Sequence, residues 1–170
     1  MIAPTAETHE VFLNPGEFHF GRKLTRISTL LGSCVSITLW HPRKHIGGMC
    51  HYMLTERKRP ANAALDGRFA DEAFELFLQQ VEAAGTRPGE YQAKLFGGAN
   101  MLGDLSGGQI DIGPRNVAYG RALLATNNIT VVAEHVGGSG RRKLHFDVGS
   151  GDVWLAFPQG TDARIRTVHG

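Results

Sequence analysis

Cys34 follows Leu31-Gly32-Ser33 at a break between two apolar, β-branched runs, and His51 lies on the next such run downstream. A glycine just before a cysteine lets the backbone turn and leaves the thiol and the neighbouring amides accessible. An imidazole folded back beside that thiol can take its proton, and the resulting thiolate is the species that attacks carbonyl carbon. The amides of Ser33 and Cys34 are then candidates to bind the oxyanion that forms. A hydroxyl that orients the imidazole is available at Ser28 or Thr29, and strand alternation allows only one of the two to look toward the thiol.

Each of these residues also has an ordinary role. A free cysteine is commonly a small buried hydrophobe, a lone histidine hydrogen-bonds in a core, and Ser and Thr decorate strands. Cys50, beside His51, should face the opposite side of its strand and pack. A metal centre built from Cys34, Cys50, His41, His45 or His51 is the rival constellation, but it lacks the C-x2-C or H-x3-H spacings that bring two ligands to one ion, so no metal is expected. The glycine doublets Gly47-Gly48, Gly97-Gly98, Gly107-Gly108 and Gly137-Gly138 fit no phosphate-loop pattern and read as turns around a pocket.

The elements that must position these residues belong to a chain of 170 residues, about one domain's worth, with 42% hydrophobic and 20% charged residues. That composition excludes disorder and fibrous repeats. The formal charge is +2, with basic residues scattered apart from Arg57-Lys58-Arg59 and Arg141-Arg142-Lys143, so nucleic-acid binding is not implied. The second group reads as a solvated hairpin edge that would attract an acidic surface only beside a catalytic face. The first ten residues lack the pattern of a signal peptide, and no run approaches the roughly 18 apolar residues of a membrane span. A cytoplasmic protein without membrane insertion is expected, and a reducing compartment makes a structural disulfide improbable.

Residues 1–14 read as an N-terminal arm, 15–158 as one domain and 159–170 as a C-terminal tail. Seven strands are expected: Ile27–Leu31, Val35–Leu39, Ile46–Leu54, Gln92–Phe96, Ile129–Val136, Lys143–Val148 and Asp152–Phe157. Ala70, Ala73, Phe74, Phe77, Leu78 and Val81 recur at helical spacing, and Gly85 ends that helix. A second helix is expected from Gly113-Pro114, with Pro at its first position, to Asn127-Asn128. Met101–Ile110 reads as a loop. The fold class is α+β, a layered sandwich of mostly antiparallel sheet with two covering helices.

Leu31-Gly32-Ser33-Cys34-Val35 and His51-Tyr52-Met53-Leu54 resemble two signature segments of the CheD family of chemoreceptor glutamine deamidases. Phe69-Ala70-Asp71, the run Lys94 to Met101, Ile112-Gly113-Pro114-Arg115-Asn116 and Val136-Gly137-Gly138 look like further family motifs in the expected order, so the resemblance spans roughly Pro15 to Phe157. It implies a CheD-like cysteine hydrolase fold and hydrolysis of selected glutamine side-chain amides on methyl-accepting chemotaxis receptors, giving glutamate and ammonia without a cofactor. Cys34 would be the nucleophile and His51 the base. The family's threonine lies six residues before its cysteine, which makes Ser28 the third catalytic member, with Thr29 adjacent to it. The resemblance also implies the receptor's cytoplasmic helical domain as substrate and a CheC-type phosphatase as a possible regulatory partner. Two rival readings are a non-catalytic module that docks on receptors or phosphatase, and a cysteine hydrolase acting on a small amide or a receptor methyl ester.

Overall fold

A computed structural model of the chain describes residues 7–101 and 111–158 and the backbone of 165–168. The expected Met101–Ile110 loop, with its Gly107-Gly108 doublet, lies beyond Met101 outside the described residues. Among the described residues, ten strands and two α-helices run in the order β1 (His9–Leu13), β2 (Phe18–Gly21), β3 (Thr25–Leu31), β4 (Val35–His41), β5 (Ile46–Cys50), α1 (Ala70–Ala83), β6 (Gln92–Gly97), α2 (Ile112–Thr126), β7 (Thr130–Val136), β8 (Arg142–Asp147), β9 (Val153–Ala156) and β10 (Ile165–Val168).

The strands form two five-stranded sheets, β1-β3-β8-β9-β10 and β2-β5-β4-β6-β7. Only β1 with β3 and β6 with β7 pair in parallel; the other neighbours are antiparallel. The result is the expected α+β layered sandwich.

Strand alternation builds two cores on the two faces of the second sheet. Val35, Ile37 and Leu39 of β4, with Cys50 and Tyr52, face Phe74, Phe77 and Val81 of α1 and Val117 and Leu124 of α2. The opposite face contributes Met49 and Phe96 to a core completed by Ile27, Leu31, Leu144, Phe146, Val153 and Leu155 of the first sheet. Each fully buried aliphatic or aromatic side chain contributes about 2 kcal/mol through removal from water. The order of layers is therefore helices, second sheet, first sheet.

Three strands were not expected from sequence. The supposed N-terminal arm contains β1, which lies parallel to β3 in register Leu13 with Thr29. The supposed tail contains β10, paired with β9, while its residues 159–164, 169 and 170 lie outside the described residues. β2 pairs with β5 beyond the Pro15-Gly16 turn. Each lies at the edge of its sheet and pairs on one side only, so a neighbour rather than its own residue pattern marks it as a strand. The second helix starts two residues upstream of Pro114, which costs no hydrogen bond because first-turn amides have no intrahelical acceptor.

Candidate active site

β3 belongs to the first sheet and β4 to the second, so Gly32-Ser33-Cys34 is the segment by which the chain crosses between layers. It is held from outside. Gly98 donates its N–H to the Cys34 carbonyl at 2.9 Å, and Ala99 donates to the Gly32 carbonyl at 3.0 Å. Gly97 takes φ +106°, and a Cβ there would collide with the Cys34 carbonyl, so the Gly97-Gly98 doublet is a close-approach site. The buried Arg142 guanidinium braces the doublet, donating to the carbonyls of Gly97, at 3.2 Å, and Gly137, and to His135 Nδ1 at 2.9 Å. Arg142, one of three basic residues expected on a solvated edge, is instead 5% exposed.

On the other side of the crossing, Val35 and Tyr52 exchange two backbone hydrogen bonds of 3.0 Å, continuing the antiparallel register of β4 with β5. That register puts His51 opposite Ser36 and makes Cys34 its diagonal neighbour on the same face, at the roughly 7–8 Å backbone separation that long side chains bridge. Cys50 and Tyr52, one residue either side of His51, face the helices.

Thr29 Oγ1 lies 2.7 Å from His51 Nδ1 and 2.7 Å from the carbonyl of Leu13. Thr29 is fully buried, and His51 is 2% exposed. A carbonyl only accepts, so the single hydroxyl proton of Thr29 goes to Leu13, and toward the imidazole Thr29 must accept. Nδ1 therefore carries the ring proton and Nε2 carries the lone pair. Nε2 is buried with no hydrogen-bond partner among the described residues, and so is the Ser36 hydroxyl opposite it.

Burial lowers the His51 pKa to about 4 and raises that of the Cys34 thiol. At neutral pH the thiol and the imidazole that share this face are both neutral, and the free imidazole nitrogen is a base. The amides of Ser33 and Cys34 make no hydrogen bond among the described residues, whereas that of Val35 is committed to Tyr52. The arrangement can deprotonate the thiol and offer amide donors to a developing oxyanion.

Ser28 does not reach the imidazole. Alternation turns it to the outer face of the first sheet, opposite Phe12 of β1 and His145 of β8, and the hydroxyl that meets His51 is that of Thr29. The spacing rule that selected Ser28 counts residues through a turn, and a one-residue difference inverts the face. The Leu13 carbonyl was invisible to sequence reasoning because a main-chain acceptor has no residue signature.

The rival metal ligands are dispersed. His41 accepts from the amides of Arg43 and Lys44 and meets Glu90 at 3.5 Å; His45 donates to the Gly149 carbonyl.

A family model described as CheD chemotactic sensory transduction matches residues 53–157. The chain belongs to the CheD family. A protein of Dechloromonas aromatica (strain RCB) named "Probable chemoreceptor glutamine deamidase CheD 3" is 81% identical over the whole of both chains. Two further CheD relatives, "Probable chemoreceptor glutamine deamidase CheD 1" of Chromobacterium violaceum and "Probable chemoreceptor glutamine deamidase CheD" of Pseudomonas fluorescens (strain SBW25), are 46% and 45% identical. The alignments cover 90% and 87% of this chain and 81% and 84% of theirs. The matched CheD segment begins after Cys34 and His51, so the site rests on its own geometry.

Proposed function

We propose that this CheD-family chain is a protein-glutamine glutaminase that converts selected glutamines of methyl-accepting chemotaxis receptors to glutamate, with Cys34 as nucleophile, His51 as base and Thr29 orienting the imidazole. The observation that carries the mechanism is the Leu13–Thr29–His51 chain of hydrogen bonds, which leaves Nε2 bare on the face that Cys34 shares. The names of the full-length relatives supply the substrate class.

His51 Nε2 takes the Cys34 proton as sulfur attacks the glutamine carboxamide carbon, and the amides of Ser33 and Cys34 receive the oxyanion. The C–N bond breaks as His51 returns the proton to nitrogen, so ammonia leaves and a thioester remains. Water, deprotonated by His51, then cleaves the thioester, releasing glutamate and the thiol.

The surface suits a protein substrate. Seven large hydrophobic residues are exposed among those described. Phe12, Leu30 and Met101, the last packed over Gly32, line one surface depression, and Leu54 and Ile112 line another with Asn116. Arg141 and Lys143 border the first group. No helix among the described residues is long and apolar enough to cross a membrane; a cytoplasmic enzyme is the reading that follows from the proposed substrate, the receptor's cytoplasmic helices. A CheC-type phosphatase is the regulatory partner that the CheD resemblance implies.

Intact-mass analysis of a receptor cytoplasmic fragment incubated with the enzyme tests the reading. The expected result is a gain of about 1 Da per converted glutamine, absent with Cys34→Ala. No gain with the wild type across several receptors would transfer the function to the docking-module reading.

A further inference from the structure

Asn116 belongs to a sequence motif that the mechanism above leaves without a task. It lies one turn into α2, on the helix-side layer, and is 1% exposed. Its side-chain nitrogen is 2.8 Å from the Met53 carbonyl and 3.4 Å from the Ser33 carbonyl. Both neighbours are pure acceptors, which fixes the orientation of the amide: Nδ2 with its two hydrogens faces them, one for each. Ser33 immediately precedes the nucleophile, and Met53 lies two residues beyond the base. One carboxamide thus ties the segment carrying Cys34 to the segment carrying His51.

The same residue is anchored by its main chain, since Tyr52 Oη donates to the Asn116 carbonyl at 2.6 Å. Gly120, one turn further along α2, is glycine where Tyr52 Oη approaches, because a Cβ there would collide with it. The helix is therefore seated against Tyr52, and the carboxamide reaches past it to the crossing. The diagonal offset of Cys34 from His51 is spanned by two side chains whose separation the strand pairing alone sets loosely, because the regular ladder of β5 ends at Cys50 and only the single Val35–Tyr52 bridge continues it.

We propose that Asn116 is a positioning residue that holds the thiol-bearing crossing in register with the imidazole. The assignment rests on the cysteine-nucleophile reading above. Its consequence is a loss in the chemical step rather than in substrate capture: without the clamp the receptor surface still docks on the exposed apolar residues, but the thiol and Nε2 spend less time in line.

The experiment compares Asn116→Asp, which replaces the two donors by acceptors, with Tyr52→Phe, which removes the neighbouring main-chain anchor and leaves the carboxamide in place. kcat and KM are measured on a receptor fragment, and Cys34 alkylation by iodoacetamide is followed against pH. Asn116→Asp is expected to lower kcat about 10- to 100-fold with KM within about twofold, and to slow Cys34 alkylation across the pH range. Tyr52→Phe is expected to lower the melting temperature while keeping kcat within about threefold. If Asn116→Asp does not fold, Asn116→Ala, which removes the donors without adding charge, carries the same expectation. A wild-type kcat and alkylation profile in the Asn116 variant, or a kcat loss matched by Tyr52→Phe, would overturn the proposal. A Cys34→Ala arm separates the two levels: turnover that survives it removes the nucleophile reading, whereas an inactive Cys34→Ala beside a normal Asn116 variant removes the clamp alone.

Discussion

Cys34 and Cys50 lie on opposite faces of the second sheet, and the two faces give one residue type two different chemistries. Cys50 looks into the helix-covered core, is 1% exposed, and has a thiol pKa pushed up to about 12 by burial. Cys34 sits where the chain crosses between sheets. It is half-buried on the sheet face that His51 shares, and its carbonyl is pinned by Gly98. Both lie close to glycines and apolar residues, and in sequence the glycine-led turn before Cys34 is what sets it apart. In the structure, strand parity together with a layer crossing leaves Cys50 in the helix-covered core and Cys34 on the face that His51 shares.

The largest test of that contrast is deletion of each thiol. Cys34→Ala should reduce receptor deamidation by more than about 10³-fold with little change in melting temperature. Cys50→Ala should keep turnover within about threefold while costing roughly 1–2 kcal/mol in chemical denaturation, through lost packing. Equal activity losses in the two variants would erase the distinction between the faces.

A second test uses the proton. His51 is neutral when folded down to about pH 4, whereas in the unfolded chain it binds a proton below its ordinary 6.5. Between those values the unfolded state holds more protons, so the His51 contribution is fully present above pH 6.5 and is lost as pH falls toward 4. It amounts to about 3 kcal/mol. Denaturant melts between pH 7 and 4.5 should show this slope in the wild type and a shallower one in His51→Gln. Identical slopes would mean that the imidazole is not held neutral by its surroundings.

The third and smallest test sets neighbours against each other. Thr29→Val removes the acceptor for Nδ1–H at nearly constant volume and should lower kcat about 10-fold, with the alkylation of Cys34 slowed in parallel. Ser28→Ala, on the outer face, should change kcat by less than about twofold. The reverse ranking would restore Ser28 as the third member.

The layered α+β class, both helices and seven of the strands were legible from the spacing of their apolar and β-branched residues. β1, β2 and β10 were not: each lies at the edge of its sheet and is marked as a strand by pairing with one neighbour rather than by its own composition. Cys34 and His51 were legible because a glycine-led turn before cysteine and a downstream histidine are themselves chemical signals. The choice between Ser28 and Thr29 was not, since it depends on which face of β3 looks inward, and β8 and β1 fix that face through tertiary pairing. The bracing by Arg142 and the Leu13 carbonyl were equally out of reach: a charge run in sequence carries no mark of burial, and a backbone acceptor carries no mark at all.

The proposed chemistry depends most on the protonation state of His51, and nitrogen-15 NMR of the histidine rings at pH 7, with His51 assigned by its absence from His51→Gln, reads it directly. The expected spectrum shows one neutral tautomer, with the proton on Nδ1 and a bare Nε2, and the tautomers redistribute in Thr29→Val. A proton on Nε2, or an imidazolium at that pH, would contradict the arrangement in which Thr29 accepts from the ring and leaves a free base for Cys34.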